Sequence, residues 1–231
     1  MNKAEAQSDN SREQQIRQRI IDAASQEFMQ YGISRISMDD IAEKLSMSKK
    51  TLYRYFTGKE DLIRAVMLGR RKCFDDIHTL MEKREENQDF VSKMLLIGSM
   101  VAEQISQIPL SFIRDLERTS PEIWREQEEL KKTSITRGFR ELYDQGVQAG
   151  VLRSDLPPDL ASLIHFTLIH NLFRPDVLMS LPYTPVQLYH AIMSVLMDGL
   201  YTDYGRCLVQ QKKNETTAHD NLPVQQSSDV Q

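Results

Sequence analysis

Between Ser37 and Phe56 two short apolar repeats follow one another with only Ser46-Met47-Ser48 between them. Each repeat is opened by a serine, a residue whose hydroxyl can accept from the free N–H groups of a helix start. Asp39 and Asp40 suit the positive end of the first helix, over Met38 to Leu45. Ile41, Ala42 and Leu45 form its inner stripe. The second helix, Lys49 to Phe56, has Leu52 and Phe56 four residues apart on one face. Ala42 is small enough for close helix crossing, and Met47 supplies an apolar plug for the turn. Two helices this short, joined this tightly, can pack only across one another as a helix-turn-helix, and they need a third helix to complete a core.

That third helix is predicted just upstream. Ser11 and Gln14 form a capping box, and Ile16, Ile20, Ala23, Ala24, Phe28 and Tyr31 recur at helical spacing as far as Gly32, which suits a left-handed helix end. Thr57-Gly58-Lys59-Glu60 reads as another capping box, opening a helix through about Met81. Beyond Glu85 helices are expected near 89–108, 110–118, 121–149, 159–173 and 185–207, with Pro109, Ser120-Pro121, Gly150, Pro157-Pro158 and Thr184-Pro185 as boundaries. Glycine and proline are few, at nine and eight, and alternating β-branched runs are absent. The expected fold is all-α: an N-terminal three-helix head with the helix-turn-helix over 12–58, then a linking helix and a helical C-terminal domain over 59–208. The polar stretches 1–11 and 209–231 are expected to be disordered tails.

Charge supports the division. The chain carries a net charge of −4, yet residues 12–72 hold 13 Lys/Arg against 8 Asp/Glu, leaving the remainder acidic. A basic head is the electrostatic footprint of a nucleic-acid binder. The outward face of the second short helix is Lys49, Lys50, Tyr53 and Arg54, flanked by Thr51 and Tyr55, groups that bond phosphates and base edges. Tyr53 is also compatible with a core position, Tyr55 with packing on the next helix, Arg54 and Lys44 with a solvated face, and Lys59 with neutralising Glu60 and Asp61.

The run from Ser37 to Phe56, with Thr51-Leu52-Tyr53-Arg54-Tyr55-Phe56 at its centre, then Lys59-Glu60-Asp61-Leu62, and with Phe28-Met29-Gln30-Tyr31-Gly32 ahead of it, resembles the signature of TetR-family transcriptional regulators. The resemblance covers about 50 residues. It implies that Lys49, Lys50 and Thr51 reach base edges, that Tyr53, Tyr55 and Lys59 grip phosphates, and that Ser37 and Ser48 add contacts at helix N-termini. Arg54 joins this DNA-binding set. Two positions depart from the family pattern. Ser46 stands where glycine is frequent, so a positive φ there would carry strain. Lys50 stands where a small residue or proline is common, which adds charge to the recognition helix.

The resemblance also implies a dimer made by the last two body helices and a ligand pocket among the middle ones. Leu163 and Leu168 on one helix and Leu188, Ile192, Val195, Leu196 and Gly199 on another form apolar faces suited to a four-helix interface. A homodimer would present two recognition helices to double-stranded DNA with a palindromic operator. The expected ligand set is Met100, Arg114, Trp124, Phe139, Phe166 and His170, for a hydrophobic or aromatic small-molecule effector. His165 and His170 lie about 140° apart around a helix and cannot chelate one metal. Asp75-Asp76 with His78 reads as a solvated face, and Cys73 and Cys207 share no metal or disulfide spacing. No cofactor or metal is expected. Nucleotide-binding and hydrolase motifs are absent, so an enzyme is not expected. No apolar run is long enough to span a membrane, and the expected location is cytoplasmic. The function expected is a regulator, a repressor released by its effector, with a ligand-independent regulator of the same fold as the alternative.

Overall fold

The computed structural model describes the backbone of residues 3–82 and 89–220, and the side chains of most of these. Among the described residues there are eleven helices and no strand: α1 Lys3–Tyr31, α2 Met38–Lys44, α3 Lys49–Tyr55, α4 Lys59–Glu82, α5 Phe90–Ser106, α6 Leu110–Thr119, α7 Pro121–Gln148, α8 Pro158–Leu172, α9 Pro175–Ser180, α10 Pro185–Leu200 and α11 Asp203–Asp220.

α1 starts nine residues earlier than expected, so residues 3–11 are helical and Ser11 lies inside the helix. Ala4, Glu5, Ala6 and Gln7 are good helix formers with no breaker after them, and the helix runs through them without needing a cap. The C-terminal expectation is corrected in the same way. One helix over 185–207 is instead two, broken at Tyr201-Thr202, and α11 continues to Asp220. Residues 221–231 of the expected tail lie outside the described residues. α9, opened by Pro175 at its first position, was not expected. At the start of α4 the partner of Thr57 is Asp61, not Glu60: Thr57 N and Oγ1 donate to Asp61 Oδ2 at 2.9 and 3.2 Å.

Ile20, Ala24, Phe28, Ile33, Ile41, Leu52 and Phe56 form the core of the head, with Ile20, Ala24, Ile41, Leu52 and Phe56 fully enclosed. Truncating a residue such as Leu52 there costs about 2–5 kcal/mol. This core does not stop at the end of α3. Leu62, Ile63 and Val66 of α4, Phe112 and Leu116 of α6 and Ile123 of α7 belong to the same cluster. The expected boundary at 58/59 therefore runs through a continuous apolar body. Head and body are also joined by polar contacts. Asp115 of α6 accepts from Ser34 N at 2.6 Å. Arg64 of α4 donates to Glu126 of α7 at 3.2 and 3.3 Å.

The body packs α5, α7, α8, α10 and α11 around Val91, Met94, Ile97, Phe139, Leu142, Tyr143, Ala161 and Leu196. The break between α10 and α11 is held against the turn after α7. Arg153 N donates to Leu200 O at 2.8 Å and Thr202 N to Val151 O at 3.0 Å. Gly205 lies so close to this turn that a Cβ there would meet Val151 O at 2.2 Å.

Candidate functional site

The recognition helix candidate is α3. Ser48 caps it, its Oγ accepting from Thr51 N at 3.0 Å. Ser37 caps α2 in a full capping box with Asp40, whose carboxylate accepts from Ser37 N and Oγ at 2.7 Å each. These bonds hold the Asp40 carboxyl below its ordinary pKa. Ser46 adopts φ +52, the left-handed conformation. That conformation lets Met47 N reach back to Ala42 O at 2.9 Å and closes the turn. The strain expected at Ser46 is thus present.

Leu52 and Phe56 point inward, while Lys49, Lys50, Tyr53 and Arg54 are exposed, Tyr53 by 49%. The basic groups are already engaged with neighbours. Lys49 Nζ pairs with Asp39 Oδ2 at 2.5 Å, and this bond raises the pKa of the ammonium. Arg54 donates to Tyr55 OH at 2.8 Å and lies over its ring at 5.0 Å. Tyr55 is half-buried against the head core, and Thr51 is half-buried with its hydroxyl 2.8 Å from Ser48 Oγ. Lys59 is also half-buried. Burial lowers its pKa, and the charges of Asp115 and Asp40 partly offset this. Sequence reasoning missed these pairings, since Asp39 and Lys49 are ten residues apart and lie on different helices.

The family model described as bacterial regulatory proteins, tetR family, matches residues 20–66, which span most of α1, all of α2 and α3 and the first part of α4. The N-terminal head is therefore similar to the DNA-binding region of that family. The fatty acid metabolism regulator protein of Bacillus subtilis (strain 168) is 24% identical over 190 residues, covering 79% of this chain and 94% of that protein. The HTH-type transcriptional regulator SrpR of Pseudomonas putida is 38% identical over 58 residues, covering 25% of this chain and 27% of that protein. A crystal structure of a TetR-family transcriptional regulator from Marinobacter aquaeolei VT8 has the same fold, with a TM-score of 0.67 at 20% identity, covering 86% of this chain and 97% of that one. The chain thus resembles TetR-family regulators in the sequence of its head and in its all-helical fold.

The body of the chain contains a cavity of about 340 Å³. Its wall comes from Met67 and Arg70 of α4, Val101 and Ile105 of α5, Phe112 and Leu116 of α6, Trp124, Ile135 and Phe139 of α7, His165 and Ile169 of α8, and Tyr189 and Met193 of α10. Of the expected ligand set, Trp124 and Phe139 lie on this wall and four residues do not. Met100 packs on the body core, and Phe166 stacks on His170 with ring centroids 5.2 Å apart. His170 Nδ1 lies 3.0 Å from Glu128 Oε2, close enough for an ion pair but without hydrogen-bond alignment. Arg114 sits instead in a surface cleft with Gln30, Gly32, Ser34 and Asp115, where α6 meets the end of α1. The cause is helical phase. On α8 the residues facing inward are Ala161, His165 and Ile169, at four-residue spacing, and Phe166 and His170 are each one position off that line.

The same phase divides the expected dimer set. Ile192 and Leu196 are buried within the chain, and Leu168 and Leu188 pack beside Ile169 and Tyr189. Leu163, exposed by 57%, Val195, exposed by 75%, and Gly199 face outward. Leu160, Ile164 and Ala191 share this outward face. Both helices were read as one broad stripe, whereas each has one apolar face turned in and another turned out. Asp76 is exposed as expected, while the side chains of Cys73, Asp75 and His78 lie outside the described residues. Cys207 is a free, exposed thiol. No helix among the described residues is long and apolar enough to cross a membrane.

Proposed function

We propose that this regulator is a repressor whose dimer binds a palindromic operator through Ser37, Ser48, Lys49, Lys50, Thr51, Tyr53, Arg54, Tyr55 and Lys59, and releases it when a small apolar molecule enters the body. The observation that carries the reading is shared packing. Phe112 and Leu116 belong both to the cavity wall and to the core of the head, and Trp124 packs against that core from the same wall. A molecule that displaces these side chains must also displace the helices that set the recognition helix. Cores are bistable rather than continuously deformable, so such a displacement favours one of two arrangements. The effector shifts the balance only by its difference in affinity for the two.

α6 transmits the change in this reading as much as α4 does. It holds Phe112, Leu116 and Asp115 within two turns, and Asp115 grips the head at Ser34. The outward faces of α8 and α10 carry the dimer, through Leu163, Val195 and Gly199. The Bacillus subtilis relative regulates fatty acid metabolism, and an acyl-like apolar effector is compatible with this wall.

The test begins with selection of duplex DNA from a random pool by the purified full-length protein. A palindromic consensus is expected. Compounds that raise the thermal midpoint are then added to the protein–DNA complex, with fluorescence anisotropy as the readout. Release by stabilising compounds supports the repressor reading. A broad panel that neither stabilises nor releases would favour a ligand-independent regulator of the same fold.

A further inference from the structure

The cavity wall is mostly apolar, and among its described residues His165 is the one with a covered side-chain nitrogen that has no hydrogen-bond partner. Its ring stacks on Phe139 with centroids 4.1 Å apart. Nδ1 is covered by protein and has no hydrogen-bond partner. No hydrogen bond to Nε2 is present among the described residues, and the ring lies on the cavity wall. On the same wall Lys131 pairs with Glu128 at 3.4 Å. A buried polar group left without a partner is costly, and natural structures retain one chiefly where a ligand or water supplies the missing bond.

Burial pushes the imidazole pKa down to about 4, with no charged neighbour contributing, so the ring is neutral at physiological pH. A neutral imidazole offers one donor and one acceptor. A hydroxyl, which can do both, bonds it in either tautomer. A carboxylate bonds it well only if the ring takes up a proton, against the full effect of burial.

Resting on the reading of the cavity as the effector site, we propose that the effector is an uncharged, largely apolar molecule bearing a hydroxyl, and that His165 is the residue that recognises that hydroxyl. Phe139 fixes the plane of the ring, and α8 carries it on the same inward line as Ile169.

Three probes with one skeleton test this by isothermal titration calorimetry on the full-length protein: 4-phenylphenol, 4-methylbiphenyl and biphenyl-4-carboxylate. The phenol is expected to bind about tenfold more tightly than its methyl counterpart, the scale of one buried hydrogen bond. The carboxylate is expected to bind more weakly than the phenol. His165→Phe keeps a stacked ring and should bring the phenol-to-methyl ratio to about one. His165→Gln, which restores a donor and an acceptor, should recover part of it. Helicity by circular dichroism confirms that each variant folds, and the wild-type ratio tests the assignment even where a variant does not. Equal binding of phenol and methyl compound, or tightest binding of the carboxylate, overturns the role of His165 and leaves the cavity as effector site. Failure of all three probes to bind overturns the effector site, and the His165 assignment with it.

Discussion

In the proposed reading Tyr53 and Lys50 do two different jobs on one exposed helix face. A phosphate contact is insensitive to sequence, whereas a contact to a base edge is not. Tyr53→Phe is expected to weaken binding to every duplex by a similar factor, and loss of a phosphate contact at Lys59 should lower the salt slope of log K by roughly one unit per protomer. Lys50→Ala should instead change which operator variants are preferred. Anisotropy titrations over a salt series, on the operator and on point variants of it, distinguish these outcomes. A second residue-scale expectation concerns His165. Its pKa falls from 6.5 to about 4 on folding, so below pH 6.5 the unfolded chain binds a proton that the folded one does not. Stability is then full above pH 6.5 and is lost as pH falls toward 4, by about 3 kcal/mol in all. The difference in denaturant-unfolding free energy between the wild type and His165→Phe, followed from pH 7 to 4, should show this slope. The exposure of Lys49, Lys50 and Tyr53 was legible from spacing alone. The ion pair of Lys49 with Asp39 was not, because it depends on how α2 and α3 cross.

Among the elements, the turn between α2 and α3 and the segment α6 carry expectations of their own. Ser46 holds a left-handed backbone that glycine adopts without a Cβ penalty. Ser46→Gly is expected to stabilise the head by up to about 1 kcal/mol, the local strain relieved less the added freedom of the unfolded chain. Chemical denaturation measures it, and a loss of stability would mean that the serine hydroxyl makes a contact outweighing the strain. On α6, burial pushes the pKa of Asp115 up, but hydrogen bonds from Ser34 and the nearby Arg118 outweigh it and hold the carboxyl below its ordinary value. The group is therefore ionised, and its grip on Ser34 is intact at any pH above the usual carboxylate range and is lost in acid. Asp115→Ala should leave effector affinity nearly unchanged while lowering the ratio of operator Kd with and without effector. Those two titrations decide between a coupling contact and a merely structural one. The caps, the proline starts and Gly32 and Gly150 made most helix bounds readable. α9 and the break at Tyr201 escaped because their signals are tertiary: the break is held by bonds from the Val151–Arg153 turn, some fifty residues away.

For the whole molecule, the outward face of α8 and α10 is the feature with the largest consequence. Leu163 and Val195 stand exposed in one chain, next to the small residues Ala191 and Gly199. Leu163→Glu with Val195→Glu should give a folded monomer by analytical ultracentrifugation. Its operator affinity should fall by roughly a hundredfold, because the second half-site contact ceases to be intramolecular. A variant that stays dimeric would move the interface elsewhere. The fold class and the head were legible in local patterns, since capping and four-residue spacing act within one helix. The cavity was not. Which apolar residues become wall and which become core depends on the rotation of six helices about their own axes, and a shift of one position separates His165 from Phe166. Trp124 is the one tryptophan of the chain, and it stands where the wall meets the core of the head. The molecule thus contains its own optical probe. Indole emission should report the arrival of an effector and the rearrangement of the head from a single site, with no label added. Stopped-flow traces of that emission would resolve the two events in time.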